Sequence, residues 1–180
     1  MQSKGWLFAV MLLPAVVIGC GAEAPAASSS PPVTITQSYP TGHAVVAVTD
    51  DVKLLEAKDH LEYLVNKHRE QLGLNGFVID LSAESLALGQ AIHMVQCAFF
   101  GHLNPENESI EDRAASADIT FIAIGENLAS GQLSAEEVLL DWLSSPLHRA
   151  NLESTTFTAF GAAYYEGQWV LTLLTPLPAQ

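Results

Sequence analysis

Three polar side chains in this sequence could form a site that binds a ligand or a metal ion. His102, Glu126 and His148 each lie beside the boundary of a predicted helix or strand, so we expect all three in loops. Imidazole and carboxylate groups can both carry protons and bind metal ions. Their wide separation along the chain imposes no local geometry. Two interpretations stay open: one shared site, or three side chains that each cap a helix or hydrogen-bond a loop.

A second pair of reactive side chains lies on one predicted helix. His93 and Cys97 are four residues apart and would share a face of that helix, as a thiol nucleophile and its base would. No third group that could orient the imidazole is identifiable, and a cysteine on a helix is usually a small inert hydrophobe. We therefore predict no catalytic residue and expect Cys97 to be a buried, inert thiol.

Composition and motifs exclude several classes of protein. The chain has 180 residues, with 7 Lys and Arg against 20 Asp and Glu and a formal net charge of −13. So few cations cannot follow a phosphate backbone, which excludes nucleic acid as a partner. The sequence contains none of the short motifs of zinc proteases, serine hydrolases or nucleotide-binding loops. Its length suits one folded domain, which we expect to be a monomer.

The first residues are typical of an export signal. Lys4 precedes an apolar run over residues 6–18, which is shorter than a comfortable bilayer span. The run ends in Val17-Ile18-Gly19-Cys20, which resembles the lipobox of bacterial lipoproteins. We therefore predict a lipoprotein signal peptide over residues 1–19 and a lipid-carrying cysteine at Cys20. An ordinary export signal or a single-pass anchor with a chance cysteine is the alternative.

The segment after this cysteine connects the lipid to the folded domain. Residues 20–49 are rich in Ala, Ser and Pro and show no amphipathic period, which is typical of a flexible tether. The lipid would attach the domain to a membrane of the bacterial cell envelope, on the extracytoplasmic side. Gly21 replaces the Asp that favours inner-membrane retention in Gram-negative lipoproteins, so we expect the outer membrane in a host of that type. The excess of acids would hold the domain away from an anionic surface.

Apolar residues recur at helical spacing in three segments. The first helix is predicted over residues 50–72, and the second runs from its cap at Ser82 to about residue 100. A capping box formed by Ser134 and Glu137 begins the third helix, and Pro146 ends it or starts a new turn. The predicted buried stripe of the second helix is Leu88, Ile92, Val95 and Phe99.

Strand-forming residues fill three short segments, 119–124, 160–165 and 168–174. The dipeptide Glu166-Gly167 joins the last two segments and predicts an antiparallel hairpin. Helices packed on a small, mostly antiparallel sheet belong to the α+β class, which we predict for a single domain over residues 50–176.

Six short segments occur in an order that resembles the CAP superfamily. This superfamily contains cysteine-rich secretory proteins, antigen five proteins and plant pathogenesis-related proteins, together with short bacterial members. The segments span most of the predicted domain, so the resemblance covers the folded part of the chain. They are Asn66-Lys67-His68-Arg69, Phe99-Phe100-Gly101-His102, Gly125-Glu126-Asn127-Leu128-Ala129, residues 134–142, residues 145–152 and Phe157-Thr158.

The resemblance implies an α-β-α sandwich with a central cleft. In family members this cleft gathers two His and two Glu side chains, where a divalent metal, usually zinc, has been found. By motif, His102, Glu126 and His148 take three of these four places, and Ser145 stands at the fourth. Two imidazoles and a carboxylate suit Zn²⁺ in ligand type, so zinc is the expected metal. Asn127 and Ser145 are expected to line the cleft.

Several functions are compatible with this resemblance. The first is a non-catalytic binding module that is displayed at the cell envelope and takes an envelope or extracellular ligand. The alternatives are a metal-dependent hydrolase of peptide or cell-wall material and a carrier of lipids or sterols. Because Glu126 would have to serve as metal ligand or as base and not as both, we favour binding without catalysis. A structural role, in which the three side chains tie loops to the core, also stays open.

Overall fold

The computed structural model describes residues 50–178, with side chains from residue 55 onward. The predicted signal peptide, lipid-carrying Cys20 and tether lie outside the described residues. Between residues 50 and 178, no helix is both long enough and apolar enough to cross a membrane. In chain order the elements are α1 (Asp50–Gln71), β1 (Val78–Ile79), α2 (Leu81–Gln96), α3 (Ile110–Ser116), β2 (Phe121–Ser130), α4 (Ala135–Ser144), α5 (Pro146–Glu153), β3 (Ala159–Tyr165) and β4 (Gln168–Pro176).

Four strands form one open sheet in the order β1-β3-β4-β2. The short β1 pairs with β3 in parallel, and the other two pairings are antiparallel. Glu166 and Gly167 join β3 to β4 and both have positive φ angles, 43° and 84°, as a tight type I′ hairpin turn requires. The predicted hairpin and the α+β class are confirmed.

The sheet is covered by helices on both faces, which gives the expected α-β-α sandwich. Side chains alternate along each strand, so Phe160 and Leu171 pack against α1, α4 and α5. Their strand neighbours Ala163 and Val170 point the other way and pack against Ala87, Ala91 and Met94 of α2. The strand β2 lies at one edge of the sheet, where both helical layers can be reached.

The helix α2 differs from its prediction in both its ends and its buried face. Asp80, not Ser82, caps it by accepting hydrogen bonds from the backbone N–H groups of Ser82 and Ala83, and the helix ends at Gln96. Leu88, expected in the core, is 45% exposed. The buried residues are mostly small: Ala83, Leu86, Ala87, Gln90, Ala91 and Met94.

Close packing explains why small residues of α2 face the sheet. Gly161 of β3 lies so near this helix that a Cβ atom there would collide with the backbone of Ala83 and Glu84. A stripe of leucines would hold the helix too far away for this contact. Spacing alone could not reveal this approach, because it depends on a glycine far along the chain.

Ser134 caps the start of α4 as predicted, but the capping box is not reciprocal. The Ser134 Oγ accepts a hydrogen bond from the Glu137 N–H at 3.3 Å. The Glu137 carboxylate accepts instead from the N–H of Leu133, at 2.8 Å. Pro146 both follows the end of this helix and begins α5, as a proline at the first position of a helix can.

Cys97 differs from the expected inert thiol. It lies at the C-terminal cap of α2, is half-buried, and is disulfide-bonded. The prediction of a buried thiol is therefore wrong. It treated this cysteine as a small apolar residue of the helix, whereas the helix has already ended there.

Candidate functional site

Glu126 lies in the middle of the edge strand β2 and not in a loop. The predicted strand ended at residue 124, but β2 continues to Ser130 because it pairs with β4 along its length, with Glu126 opposite Thr172. Alternation puts its side chain on the same face as Leu128, towards α2. Only 2% of this side chain is exposed. The site therefore contains a carboxylate that is almost completely removed from water.

Two hydrogen-bond donors hold this carboxylate. Arg113 Nη2 donates to Glu126 Oε2 at 2.7 Å, and His102 Nδ1 donates to Glu126 Oε1 at 2.9 Å. Each carboxylate oxygen thus has its own donor. We call Arg113, Glu126 and His102 the Glu126 network.

Arg113 also fixes the loop that carries His102. Its Nη1 donates to the backbone carbonyl oxygens of His102, at 3.0 Å, and Glu108, at 3.3 Å. Arg113 belongs to the short helix α3, which begins at a reciprocal capping box between Ser109 and Asp112. One guanidinium therefore joins a helix, a strand and a loop.

His102 is the only member of the Glu126 network that is largely open to solvent, with 58% of its side chain exposed. Its loop position agrees with the sequence prediction. The hydrogen bond to Glu126 raises the pKa of His102 above its usual value, against the opposing effects of burial and of the Arg113 charge. The protonated imidazole is therefore favoured at this position.

His148 lies on α5 and not in a loop, because Pro146 starts a helix there. Its side chain is half-buried, and burial, assisted by the charge of His102, lowers the pKa of His148. The pKa values of the two histidines are therefore shifted in opposite directions. His102 holds its proton more tightly than an ordinary histidine, and His148 holds it less tightly.

Asn127 is completely buried, so it does not line the cleft as predicted. Its side chain points to the face opposite Glu126, where its Nδ2 donates to the His148 carbonyl oxygen at 3.1 Å. Asn151 donates in turn to Asn127 Oδ1 at 2.8 Å. These two amides attach α5 to the edge strand and fix the position of His148.

A cleft of about 340 Å³ opens beside the edge of β2. Ser145 and His148 lie in its wall, together with Trp142 and the exposed ring of Phe100. Glu126 is not part of this wall. Leu128, two positions along β2 from Glu126, does line the cleft, so the cleft and the Glu126 network are neighbours.

Glu126 is not placed to act as a zinc ligand in this arrangement. Among residues 50–178, no three His, Cys, Asp or Glu side chains are gathered closely enough to hold a metal. Both oxygens of Glu126 already accept hydrogen bonds, and the Arg113 guanidinium beside them would repel a second cation. Zinc binding by His102, Glu126 and His148 stays a prediction of the sequence.

Arg113 was not predicted as a site residue from the sequence. Its helix α3 was not predicted, although the Ser109 and Asp112 pair has the spacing of a capping box. Arg113 is also one of only 7 Lys and Arg residues in the chain, so a rare cation directly after that box was the available signal. Its contact with Glu126 depends on tertiary packing and could not be predicted from spacing.

One protein family and two Bacillus subtilis proteins match the sequence of this chain. The model of the cysteine-rich secretory protein family, CAP, matches residues 62–172. The uncharacterized protein YkwD of Bacillus subtilis is 33% identical over 109 residues, which are 61% of this chain and 42% of that protein. The uncharacterized membrane protein YlbC of the same organism is 28% identical over 98 residues, 54% of this chain and 28% of that protein. The chain thus matches less than half the length of these relatives.

Solved structures share the fold. An extracellular protein containing an SCP domain from Bacillus anthracis superposes with a TM-score of 0.68 and 23% identity, over 75% of this chain and 45% of that one. An outer surface protein from Borrelia burgdorferi gives a TM-score of 0.62 and 23% identity, over 73% of this chain and 97% of that one. Since the family model matches more than half of the chain and the sandwich fold agrees, the chain belongs to the cysteine-rich secretory protein (CAP) family.

Proposed function

We propose that this protein is a non-catalytic binding module displayed at the bacterial cell envelope. The occupied carboxylate of Glu126 carries this proposal. A general base or a metal ligand needs a carboxylate that can reach a proton or a metal, and Arg113 and His102 hold both oxygens of this one. These contacts hold the Glu126 network in one arrangement, which suits a structural role better than a catalytic one.

The adjacent cleft has the character of a binding surface. Phe100 provides exposed apolar surface, and Ser145 and the neutral His148 provide groups that can donate or accept hydrogen bonds. A mostly apolar wall with a few fixed polar groups is typical of ligand sites. Because α5 is attached to β2 through Asn127, these polar groups are held in place before a ligand arrives.

The envelope location rests on the N-terminal sequence and on the relatives. The names of three similar proteins describe an extracellular protein, an outer surface protein and a membrane protein. The lipobox at residues 17–20 adds a lipid at Cys20, which would anchor the domain on the outer face of a membrane.

Binding to envelope material tests the proposed function. The mature protein should sediment with isolated cell envelopes or cell-wall sacculi, and His148→Ala should weaken this binding by about tenfold, the effect of one good polar contact. Arg149→Ala, one position along α5 and exposed, is the matched control. Zinc-dependent release of peptide or cell-wall fragments, lost in His102→Ala and His148→Ala, would contradict the proposal and identify a hydrolase.

Metabolic labelling with palmitate tests the anchor. Cys20→Ser should lose the label, and Cys97→Ser, at the second cysteine of the chain, should keep it. The lipid of a bacterial lipoprotein is a diacylglyceryl group bound to the cysteine sulfur as a thioether, so labelled protein cannot also hold Cys20 in a disulfide with Cys97, and the label decides between the two. An unlabelled wild-type protein would contradict the lipoprotein prediction.

One observation favours lipid carriage as a second candidate function. A groove of about 470 Å³ lies between α1 and α2, and its apolar lining includes Leu55, Leu81 and Leu88. Binding of a fluorescent fatty acid or sterol that Leu88→Asp abolishes would support this candidate. Leu140→Asp, at another exposed leucine, on α4, should have no effect. Equal binding by both variants would exclude the groove.

A further inference from the structure

We propose that Arg113 is a built-in cation that takes the place of a metal ion at Glu126 and keeps metal out of this site. The inference goes beyond the proposed binding function, with which it shares only the requirement that Glu126 be occupied. It assigns a specificity-determining role to a residue that belongs to none of the six segments that carry the family resemblance.

Arg113 already supplies the counter-charge that Glu126 needs. A carboxylate with 2% exposure needs a counter-charge, and Arg113 Nη2 provides it at 2.7 Å from Oε2. Zinc lies about 2.0 to 2.2 Å from its nitrogen and oxygen ligands, which is closer than any hydrogen-bond donor can approach. A zinc ion bound by His102 and Glu126 would have to displace the donor hydrogen of Nδ1 and lie beside a fixed guanidinium.

Arg113 is also held firmly in its position. Only 11% of its side chain is exposed, and its Nη1 donates to two backbone carbonyl oxygens, of His102 and Glu108. Its helix is held by the capping box at Ser109. A metal would therefore have to break an ion pair and two further hydrogen bonds before it could bind.

Removal of the Arg113 guanidinium would leave two zinc-binding groups side by side. Glu126 and His102 would still be adjacent, with one carboxylate oxygen and one imidazole nitrogen 2.9 Å apart. An oxygen and a nitrogen of these types are suitable zinc ligands, and water can supply the others. Removal of the positive charge should thus uncover a zinc site that the native chain suppresses.

Metal titration of the mature full-length protein tests this proposal. We expect Arg113→Gln to bind Zn²⁺, measured by calorimetry, at least about tenfold more tightly than wild type, since one direct charge repulsion is removed. The charge-retaining Arg113→Lys should resemble wild type. The double variant Arg113→Gln with Glu126→Gln should lose the gain, which would locate the metal at this carboxylate. Absence of a gain in folded Arg113→Gln would overturn the proposal.

A measurement on the wild-type protein keeps the proposal testable if Arg113→Gln does not fold. Zinc at millimolar concentration should leave the unfolding midpoint of the wild-type protein unchanged and should not shift the NMR signals of the His102 imidazole. Zinc-dependent stabilisation together with a shift of His102 would overturn the proposal. If the same sample shows no turnover, the binding function survives; zinc-dependent turnover would overturn both.

Discussion

Glu62 and Glu126 are both buried carboxylates, but they differ in how their charge is balanced. Glu126 has two donors of its own, the permanently charged Arg113 and His102. Glu62, on α1, has one neighbouring cation, Lys58, and shares it with two other acids. The Lys58 Nζ lies 3.3 Å from a Glu62 oxygen, 3.0 Å from Asp59 and 2.6 Å from Glu84.

The crowding of acids around Lys58 is reflected in the pKa values of Glu62 and Lys58. Burial raises the pKa of Glu62, although the Ala162 N–H, which donates to it at 3.1 Å, and the Lys58 charge both act in the other direction. Burial alone would lower the pKa of Lys58, but hydrogen bonds to Glu84 and Asp59 and the charge of Glu62 raise it above its usual range. Similar burial thus produces two different sites: a carboxylate beside the cleft that has its own arginine, and an acid-rich cluster between α1 and α2 that shares one lysine.

Removal of the cation from the balanced network should have the largest effect. Arg113→Met leaves the Glu126 carboxylate buried with His102 as its remaining partner, and we expect a loss of about 3 to 5 kcal/mol in the free energy of unfolding. Urea denaturation measures it. Arg149→Met, at an exposed arginine on α5, should cost less than about 1 kcal/mol. Equal losses in both variants would show that the Glu126 network does not depend on its guanidinium.

The acid-rich network depends on the close approach of α2, which carries Glu84. Gly161→Ala would push a methyl group into the backbone of Ala83 and Glu84, and we expect a cost of about 1 to 3 kcal/mol. Gly89→Ala is the matched control, since a Cβ there has nothing within 4 Å, and it should stabilise this helix by about 0.5 to 1 kcal/mol. Thermal unfolding of both variants checks the opposite signs. A destabilised Gly89→Ala would contradict this account.

The pH dependence of stability should separate paired from surplus carboxylates. Because the folded state raises the pKa of Glu62, it binds a proton more tightly than the unfolded chain, so stability falls as pH rises from the unfolded pKa through the folded pKa. Glu62→Gln should remove that fall, which cannot exceed about 1.4 kcal/mol per pH unit for one proton. Urea titrations between pH 4 and pH 7 measure it.

Glu70 supplies the control of opposite sign for this measurement. Its hydrogen bond with Lys67 lowers the pKa of Glu70 at the exposed end of α1, so its contribution is present above the unfolded pKa and is lost as pH falls. Glu70→Gln should therefore change the pH profile in the direction opposite to Glu62→Gln. Identical changes would mean that burial of Glu62 does not control its proton.

The smallest expected effect is on the pKa values of His102 and His148. NMR titration of the wild-type protein should give a pKa above 6.5 for His102 and below 6.5 for His148. The His102 contribution to stability is then complete below 6.5 and is lost as pH rises through its folded pKa. Glu126→Gln should lower the pKa of His102 and remove this contribution. An unchanged pKa would show that the Glu126 hydrogen bond does not control it.

Local signals predicted the parts of the fold that local chemistry decides. The glycine after residue 166 predicted the hairpin, and Ser134 predicted the start of α4. The buried face of α2 was wrong because it is set by Gly161, and β2 was too short because its length is set by β4. Tertiary partners decided both features.

The candidate site was predicted by resemblance more than by spacing. His102, Glu126 and His148 matched the family segments, but two of the three expected loops are a strand and a helix. Arg113 belongs to none of those segments, and Asn127, expected in the cleft wall, is completely buried. Opposite sides of one strand cannot be distinguished until it is known which helices cover them.

Two consecutive residues of the edge strand β2 hold the two sides of the site in place. Glu126 points to one face and holds Arg113 and His102, and Asn127 points to the other and holds α5 under His148. A single-residue insertion or deletion before them would exchange their faces, bury a carboxylate among the apolar residues of α4 and α5, and leave Arg113 opposite an amide. Related chains should therefore tolerate length changes in the loops around this strand and very few within it.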